Sequence, residues 1–446
     1  MKYQSWIKKS LCAAGAGFIF SAGLLFASSK DVITIERFIS PEVCGGCHSE
    51  IFDQWKNSMH HLSHKDPVYS RVAKFLTKGL TDAGEIKEAE SCVKCHTPVG
   101  NLTGFPMKVS DDLSKTPEIA TQGIQCDYCH SAESITRIHN NGLVLKPGHG
   151  EDDPGVKLGP FDDAAPDFHD ARYSKLHTEA EICGTCHDVK HVVFGTDLET
   201  TYTEWKNSPY HSKDPAKNIP CQGCHMFQKP GIPATGSTPR PENPGSAADG
   251  SMERPHIFTH YFIGGNSGVP GMFDAKGKAE MAAERLQNAA TLSLDASKMN
   301  EKKLFVTIAN TGAGHSIPTG VADLRQVWLE ITIKDKDNKP LFQTGALNDK
   351  QDLPENTVIF RTVFGDGKGN KVINIAKAKQ ILKDNRIKAK SSVTEVITLP
   401  FVPEKGSRIE VRLLYRSMPP ELLRMIPEEP FEPLPVVEMA KVQTKT

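Results

Sequence analysis

The chain has 446 residues, with 53 Lys and Arg against 54 Asp and Glu, and this balance gives no case for nucleic-acid binding. The length is enough for two or three domains, yet only 38% of the residues are hydrophobic and 7% aromatic. Such a chain needs another source of core, and a large apolar cofactor around which peptide can pack would supply it.

The N-terminus has the pattern of an export signal. Lysines precede an apolar stretch from Leu11 to Phe26, and small residues follow at 27–29. The pattern predicts a signal peptide over residues 1–29. An uncleaved membrane anchor is the alternative, because the stretch is nearly long enough to span a bilayer.

Five copies of the pattern C-x-x-C-H come next, and this pattern is typical of covalent c-type haem attachment. Its two thiols bond to the haem vinyl groups, and the histidine that follows reaches the iron as proximal ligand. The five motifs, called sites 1 to 5 below, are Cys44-x-x-Cys47-His48, Cys92-x-x-Cys95-His96, Cys126-x-x-Cys129-His130, Cys183-x-x-Cys186-His187 and Cys221-x-x-Cys224-His225.

Two other uses of paired cysteines explain the motifs less well. A zinc ribbon uses C-x-x-C pairs but does not need a histidine after every second cysteine, and neither does a redox-active disulfide. The motifs use ten of the eleven cysteines and leave only Cys12. The sequence therefore predicts five covalent haem c groups. Because such haems are attached outside the bacterial cytoplasm, we expect an exported protein: periplasmic, outer-membrane-associated or extracellular.

A repeated element lies near the first and fifth sites. Trp55 is followed six residues later by His61, and Trp205 is followed at the same spacing by His211, with Lys-Asp-Pro soon after each. The repeat suggests a helix that packs its indole on a porphyrin and offers its histidine to an iron. Retention of an ancestral duplication for packing alone is the alternative.

The pattern of the chain changes twice after the motifs. Residues 30–228 are predicted to form a haem domain of helices and irregular chain. Residues 229–290 read as a linker rich in Pro and Gly, ending in a helix over 275–290 whose Glu, Lys and Arg face solvent. From 291 to 446, apolar and polar residues alternate, as in Val327, Leu329 and Ile331, which predicts antiparallel strands and an all-β, immunoglobulin-like sandwich.

A basic run lies within this second half. Residues 371–390 contain seven Lys and Arg against the single acid Asp384. Such a face could dock an acidic redox partner by electrostatic steering, or it could be a solvated surface only.

The remaining histidines are candidates for the distal iron positions. The chain has 17 histidines, so twelve remain after the five proximal ones, an excess that favours bis-histidine ligation. Iron with six ligands has no vacant site, so each such haem carries electrons and binds no substrate. The candidates, in order of preference, are His211, His60 or His61, His169, His260 and His315; His256 competes with His260, and His64, His139, His149, His177 and His191 are in reserve.

The motifs also carry a family resemblance, which covers about residues 40 to 420. The chain resembles the exported multihaem c-type cytochromes of respiring and metal-reducing bacteria. The resemblance implies electron transfer between membrane quinol-oxidising complexes or other cytochromes and periplasmic, outer-membrane or extracellular acceptors. The segments that carry it are AESCVKCHTP at 89–98, GIQCDYCHS at 123–131, CGTCHD at 183–188, the Trp-x-x-Ser elements, Cys224-His225-Met226, GHSIPTG at 314–320 and LYRS at 414–417.

One related class differs from this chain. Pentahaem nitrite reductases resemble it in haem number and length, but most carry one C-x-x-C-K site, whereas all five sites here end in His. Their C-terminal half is helical, and this one has the pattern of a sheet.

Two hypotheses of function follow. The first is an electron carrier built from mostly bis-histidine haems. The second is a reductase of a nitrogen or sulfur oxyanion at one five-coordinate haem, which needs residues such as Arg137 and His139 to bind the anion and pass protons. The sequence leaves open the haem order and whether copies assemble into a homo-oligomer or a filament.

Overall fold

Short helices form the first half of the chain. The computed structural model describes residues 32–425 and 431–446, so the predicted signal peptide or anchor lies outside the described residues. Two helices show how the sequence starts them: Ser40 and Asp66 accept hydrogen bonds from backbone N–H groups of the first turn, and Pro41 and Pro67 occupy the first helical position. None of the helices among the described residues is long and apolar enough to cross a bilayer.

The described α-helices are α1 Pro41–Gly45, α2 Ser49–Trp55, α3 Met59–Leu62, α4 Pro67–Thr77, α5 Ala83–Ala89, α6 Val93–His96, α7 Pro98–Thr103, α8 Cys126–His130, α9 Ala180–Gly184, α10 Thr201–Lys206, α11 Gln222–His225, α12 Lys276–Gln287 and α13 Pro420–Arg424. Single 3₁₀ turns join them at Ile35–Arg37, Glu90–Cys92, Leu113–Lys115, Glu118–Gln122, Lys175–Thr178, Val269–Phe273, Met299–Glu301 and Ile375–Lys377. Each C-x-x-C-H motif lies in or directly beside one short helix.

Small two-stranded sheets fill the connections in the first half, and two larger sheets with one further two-stranded sheet form the second half. The strands of the first half are β1 Ala132–Ile135, β2 Leu143–Leu145, β3 Val156–Gly159, β4 Asp170–Tyr173, β5 Val189–Lys190, β6 Asp197–Glu199, β7 Gly245–Ser246 and β8 Glu253–Arg254. Those of the second half are β9 Ala290–Asp295, β10 Lys303–Asn310, β11 Gln326–Lys334, β12 Pro340–Thr344, β13 Ile359–Phe360, β14 Thr362–Gly365, β15 Gln380–Asp384, β16 Ser392–Thr398, β17 Arg408–Arg416 and β18 Val437–Lys445.

The two larger sheets enclose one apolar core. One has the strand order β16-β10-β9, and the other has the order β12-β11-β17-β18 with β13 also paired to β11. Alternate residues of β10, β11 and β17, such as Val306, Ile331 and Val411, are fully buried between the sheets. The predicted alternation and antiparallel pairing are therefore confirmed, and the second half is a β-rich region.

The predicted helix before the sheets is present and slightly shorter than expected. It spans Lys276–Gln287, and the first strand of the β-rich region begins at Ala290. Met281 and Leu286 are buried, as the pattern predicts, but Arg285 was expected in solvent and instead lines the internal cavity described below.

The basic run at 371–390 joins the two halves of the molecule. Arg386 forms an ion pair with Glu204 of α10, whose side chain is 10% exposed. Lys379 lies over the Phe194 ring with its ammonium 4.5 Å from the ring centroid, and Lys390 lies 5.1 Å from that of Tyr210. Residues 33–446 form one compact unit, and these contacts explain part of that packing.

Candidate haem-binding site

One large cavity receives all five motifs. Its volume is about 1400 Å³, above the usual range for a small-molecule pocket of about 300–1,000 Å³. The proximal histidines of all five sites line it, and so do five other histidines: His60, His169, His177, His260 and His315. The ten motif cysteines form no disulfide, so their thiols are available for other bonds. The first half of the chain therefore encloses a space rather than a continuous apolar core.

The proximal imidazoles are oriented by their Nδ1 atoms. At sites 1, 2, 3 and 5, Nδ1 donates to a backbone carbonyl, and at site 4 it lies 3.3 Å from a carboxylate oxygen of Glu199. Because the carbonyl is only an acceptor, Nδ1 carries the proton, and Nε2 is left free as a ligand. The carbonyls belong to Ala247, Ser63, Leu158 and Ile263, at distances of 2.6, 3.2, 2.6 and 2.8 Å.

Four proximal imidazoles face a second imidazole at a distance that fits an iron between them. A ligating nitrogen lies about 2 Å from its metal, so two rings on opposite sides of one ion have centroids about 6 to 6.5 Å apart. The observed pairs are His48–His169 and His60–His187 at 6.3 Å, and His130–His260 and His225–His315 at 6.4 Å. The residues present therefore fit bis-histidine haems at sites 1, 3, 4 and 5.

Three of the four outer histidines of these pairs are oriented in the same way, whereas Nδ1 of His60 is buried with no hydrogen-bond partner among the described residues. Nδ1 of His169, His260 and His315 hydrogen-bonds to the carbonyl oxygens of Asp170, Phe258 and Ser316 at 2.9, 2.9 and 3.1 Å. Burial lowers the pKa of His260 to about 4 and that of His60 to about 3. These imidazoles are neutral at pH 7, which is the form that binds a metal.

His60 and His61 of α3 have different surroundings, and this favours His60 as the residue that faces a motif. His60 lines the cavity, whereas both ring nitrogens of His61 are occupied: Nδ1 accepts from the Asn57 N–H at 2.7 Å, and Nε2 lies 2.9 Å from Oε1 of Gln122. The alignment of the two Trp elements favours His61, but the tandem pair left the choice open, and the structure places His60 in the cavity.

The repeat itself is preserved, with another role. Trp55 and Trp205 donate their indole N–H to the carbonyls of Ile124 and Ile219 at 2.9 and 2.8 Å. Each of these carbonyls lies two residues before the first cysteine of a motif, at sites 3 and 5. His61 and His211 pack on the two indoles with centroids 4.5 and 5.0 Å apart. The contacts support the packing interpretation of the repeat.

The other candidate histidines are placed as follows. His211, the first choice from sequence, packs on Trp205 and is not one of the described residues that line the cavity. His177, held in reserve, does line it, but its ring lies 5.5 Å from that of His130, and its Nε2 is bonded to the Cys129 carbonyl at 2.9 Å. His256 packs on Phe227 instead of competing with His260. Arg137 donates to carbonyls of its own turn, those of His139 and Asn140.

Site 2 differs from the other four. The described residues offer no imidazole facing His96; its ring packs parallel to that of Tyr69, with centroids 3.8 Å apart and planes at 2°. The phenol oxygen of Tyr69 is buried and has no hydrogen-bond partner. Burial, with the charges of neighbouring cysteines, raises the pKa of this phenol well above 10, so it keeps its proton at neutral pH. Sequence reasoning missed this residue because nothing in its local pattern relates it to a motif.

The β-rich region supplies one wall of the cavity through the loop at 310–320. Asn310 at the end of β10 donates to the carbonyl of His315 at 2.8 Å. Glu204 of α10 accepts from the backbone N–H of Ser316 at 2.9 Å and from the hydroxyl of Thr319 at 2.8 Å. These bonds fix the loop so that His315 reaches the imidazole of site 5.

The motif cysteines also show which sites are neighbours. The thiol of Cys44 at site 1 contacts that of Cys126 at site 3, and the thiol of Cys183 at site 4 contacts that of Cys221 at site 5. A third contact joins Cys95 at site 2 to Cys186, again at site 4. Site 4 therefore lies next to both sites 2 and 5.

The comparisons with known proteins agree with this geometry. The family model of cytochrome c554 and c-prime matches residues 43–131, which contain sites 1 to 3. A penta-heme cytochrome c552 from Thermochromatium tepidum shares the fold with a TM-score of 0.64 and 19% sequence identity, over 93% of this chain and 100% of that one. No curated protein sequence matches the chain.

The motifs, the cavity and the shared fold together define the class of protein. The chain is a c-type cytochrome of the multihaem class. The match over residues 43–131 relates its first three sites to cytochrome c554 and c-prime, and the likeness to the penta-heme cytochrome extends the fold over nearly the whole chain.

Proposed function

We propose that this protein carries electrons through five covalently bound c-type haems, four of them held between two histidines. The proposal rests above all on the four imidazole pairs with centroids 6.3 to 6.4 Å apart. The cysteines would hold the porphyrins and the histidine pairs would hold the irons, which supply one-electron exchange between Fe(III) and Fe(II). The chain itself sets spacing, ligands and surroundings.

Electron transfer between these haems is supported by the closeness of the attachment cysteines. Sites 1 and 3, sites 4 and 5, and sites 2 and 4 have neighbouring thiols, so the porphyrins they hold would lie close together. Site 4 has two such neighbours, so sites 2, 4 and 5 would form one run of haems, and sites 1 and 3 would form a second pair.

The number of haems and their ligation can be tested on the purified mature protein. Its mass is expected to exceed that of the polypeptide by five porphyrins. The EPR spectrum of the oxidised protein is expected to be dominated by low-spin haem. A mass equal to that of the polypeptide, or a spectrum in which most of the iron is high-spin, would contradict the proposal.

A second candidate function is favoured by site 2. His96 has no second imidazole facing it among the described residues, and the Tyr69 ring, whose phenol oxygen is unpaired, packs on the His96 ring. A five-coordinate haem with a protonated phenol nearby could reduce a nitrogen or sulfur oxyanion. One high-spin signal that changes on addition of nitrite or sulfite, with turnover from a reduced dye, would support the reductase; all-low-spin iron would exclude it.

The cellular setting follows from the motifs and the N-terminus. We propose that the protein is exported and exchanges electrons with other cytochromes or with quinol-oxidising membrane complexes, as the family resemblance implies. N-terminal sequencing of the mature protein distinguishes a cleaved signal peptide over 1–29 from a retained anchor.

We also propose that the β-rich region is an immunoglobulin-like sandwich. The proposal is supported by two antiparallel sheets, ordered β16-β10-β9 and β12-β11-β17-β18, around one core. An experimental structure in which these strands pair in another order would reject it.

A further inference from the structure

Sites 4 and 5 are neighbours with opposite charges beside their proximal histidines. At site 4, the Glu199 carboxylate lies 3.3 Å from Nδ1 of His187 and accepts from the hydroxyl of Thr201 at 3.3 Å. Its only ionic partner among the described residues is this imidazole. The proximal histidines of the other sites bond to neutral carbonyls. Among the described residues, site 4 is therefore the one where a carboxylate contacts the proximal imidazole.

At site 5 the neighbouring charge is positive. Arg285 of α12 lines the cavity and donates from Nε to the Gln228 side chain at 2.7 Å and from Nη2 to the carbonyl of Cys224 at 3.1 Å. Both acceptors are neutral, and no carboxylate of residues 32–425 or 431–446 is paired with this guanidinium. Burial lowers the pKa of Arg285 to about 10, which still leaves it charged at pH 7.

The other charged group near site 5, the carboxylate of Glu204, is neutralised by its own ion pair. Glu204 faces the His315 loop, but its carboxylate is paired with Arg386 and accepts from Ser316 and Thr319. Arg285 is therefore the uncompensated charge at this site. It lies close to the proximal imidazole, since its Nη2 donates to the carbonyl of Cys224, the residue directly before His225.

We propose that Glu199 lowers the reduction potential of the haem at site 4 and that Arg285 raises the reduction potential of the neighbouring haem at site 5. The inference rests on the proposed function. Reduction of Fe(III) to Fe(II) adds one negative charge, which a nearby carboxylate opposes and a nearby guanidinium favours. A carboxylate on Nδ1 also makes the imidazole a more basic ligand and stabilises Fe(III).

The direction of electron flow follows from this difference. Because the thiols of Cys183 and Cys221 are in contact, haems attached at sites 4 and 5 would lie close enough to exchange electrons. With haems bound, this difference would favour the electron at site 5, beside the β-rich region, over site 4.

The test is a redox titration of the holoprotein followed by EPR, in which individual low-spin haems give their own signals. Glu199→Gln keeps the size of the side chain and removes its charge; one haem is expected to become easier to reduce by about tenfold, which is about 59 mV for one electron. Arg285→Gln is expected to make a different haem harder to reduce by a similar factor. Arg285→Lys keeps the charge and is the matched control, expected to stay close to the wild type.

Gln228→Glu gives a second route if Arg285→Gln fails to fold. It places a carboxylate on the same guanidinium and is expected to shift the same haem in the same direction as Arg285→Gln. Midpoints that stay unchanged, or that move in the same direction in Glu199→Gln and Arg285→Gln, would overturn the inference while leaving the carrier role intact. The absence of low-spin haem signals from the wild-type holoprotein would instead reject the proposed function.

Discussion

The imidazoles of His225 and His315 face each other with centroids 6.4 Å apart, although one lies in a C-x-x-C-H motif and the other on a loop of the β-rich region. The pair links the two halves of the molecule at the cavity. If both bind one iron, the second half is part of the redox machinery, because it completes a haem site that the motif begins.

Replacement of His315 by Ala is expected to leave the haem of site 5 attached and five-coordinate. The thioether bonds and His225 remain, so haem content is unchanged, but the iron loses its second imidazole and becomes high-spin. EPR of the oxidised variant measures this. His211→Ala is the matched control, since that ring packs on Trp205 and its loss is expected to leave every haem low-spin. A new high-spin signal in His211→Ala would contradict the assignment.

Replacement of His60 and of His61 separately tests the assignment at site 4. His60→Ala is expected to create one high-spin haem, because His60 is the imidazole that faces His187. His61→Ala is expected to keep all haems in their wild-type spin state and to lower stability by about 1–3 kcal/mol, since it leaves Gln122 and the Asn57 N–H without their partner. Thermal unfolding together with EPR separates the two effects; a high-spin haem in His61→Ala alone would reverse the assignment.

The ion pair between Arg386 and Glu204 is expected to be important for stability. Both side chains are only 10% exposed. Arg386→Met leaves the buried carboxylate without its cation and is expected to cost about 3 kcal/mol or more. Lys383→Met removes a charge from the same basic run at an exposed position and is expected to change stability by less than about 0.5 kcal/mol. Denaturant unfolding of the two holoproteins compares them, and equal losses would show that the pair contributes little.

The same pair predicts a dependence of stability on pH. Burial raises the pKa of Glu204, but Arg386 and the hydrogen bonds outweigh this, so the pKa in the folded protein lies below the ordinary value of 4.5. The contribution to stability is therefore complete above about pH 4.5, the value in the unfolded chain, and is lost as the pH falls through the lower folded pKa. In Glu204→Gln the decline of stability between pH 6 and pH 3 is expected to be shallower; an identical slope would argue against the assignment.

Protein produced without haem attachment is expected to be folded in its second half only. Among the described residues, the β-rich region and the end of α12 share a core of 22 buried residues, whereas the other buried clusters contain between three and eight. Circular dichroism is expected to show strand signal with little helix, since the porphyrins would supply most of the apolar core of the first half. Native helix content in that material would reject this account.

The sequence by itself determined the features that depend on local spacing. The C-x-x-C-H motifs bring thiols and imidazole together within one helical turn, so their chemistry can be read from five consecutive residues. The alternation in β10, β11 and β17 reflects the two faces of a strand and predicted the β-rich half for the same reason.

Only the tertiary structure decided which histidines face the motifs. His60 and His61 are neighbours in sequence, but successive residues of a helix point about 100° apart, so one enters the cavity and the other packs on Trp55. Partners such as His130 and His260 come from distant segments, whose meeting depends on how the whole chain folds. The position of Arg285 inside the cavity was decided in the same way, since the helical pattern marks a polar residue as exposed unless another element covers it.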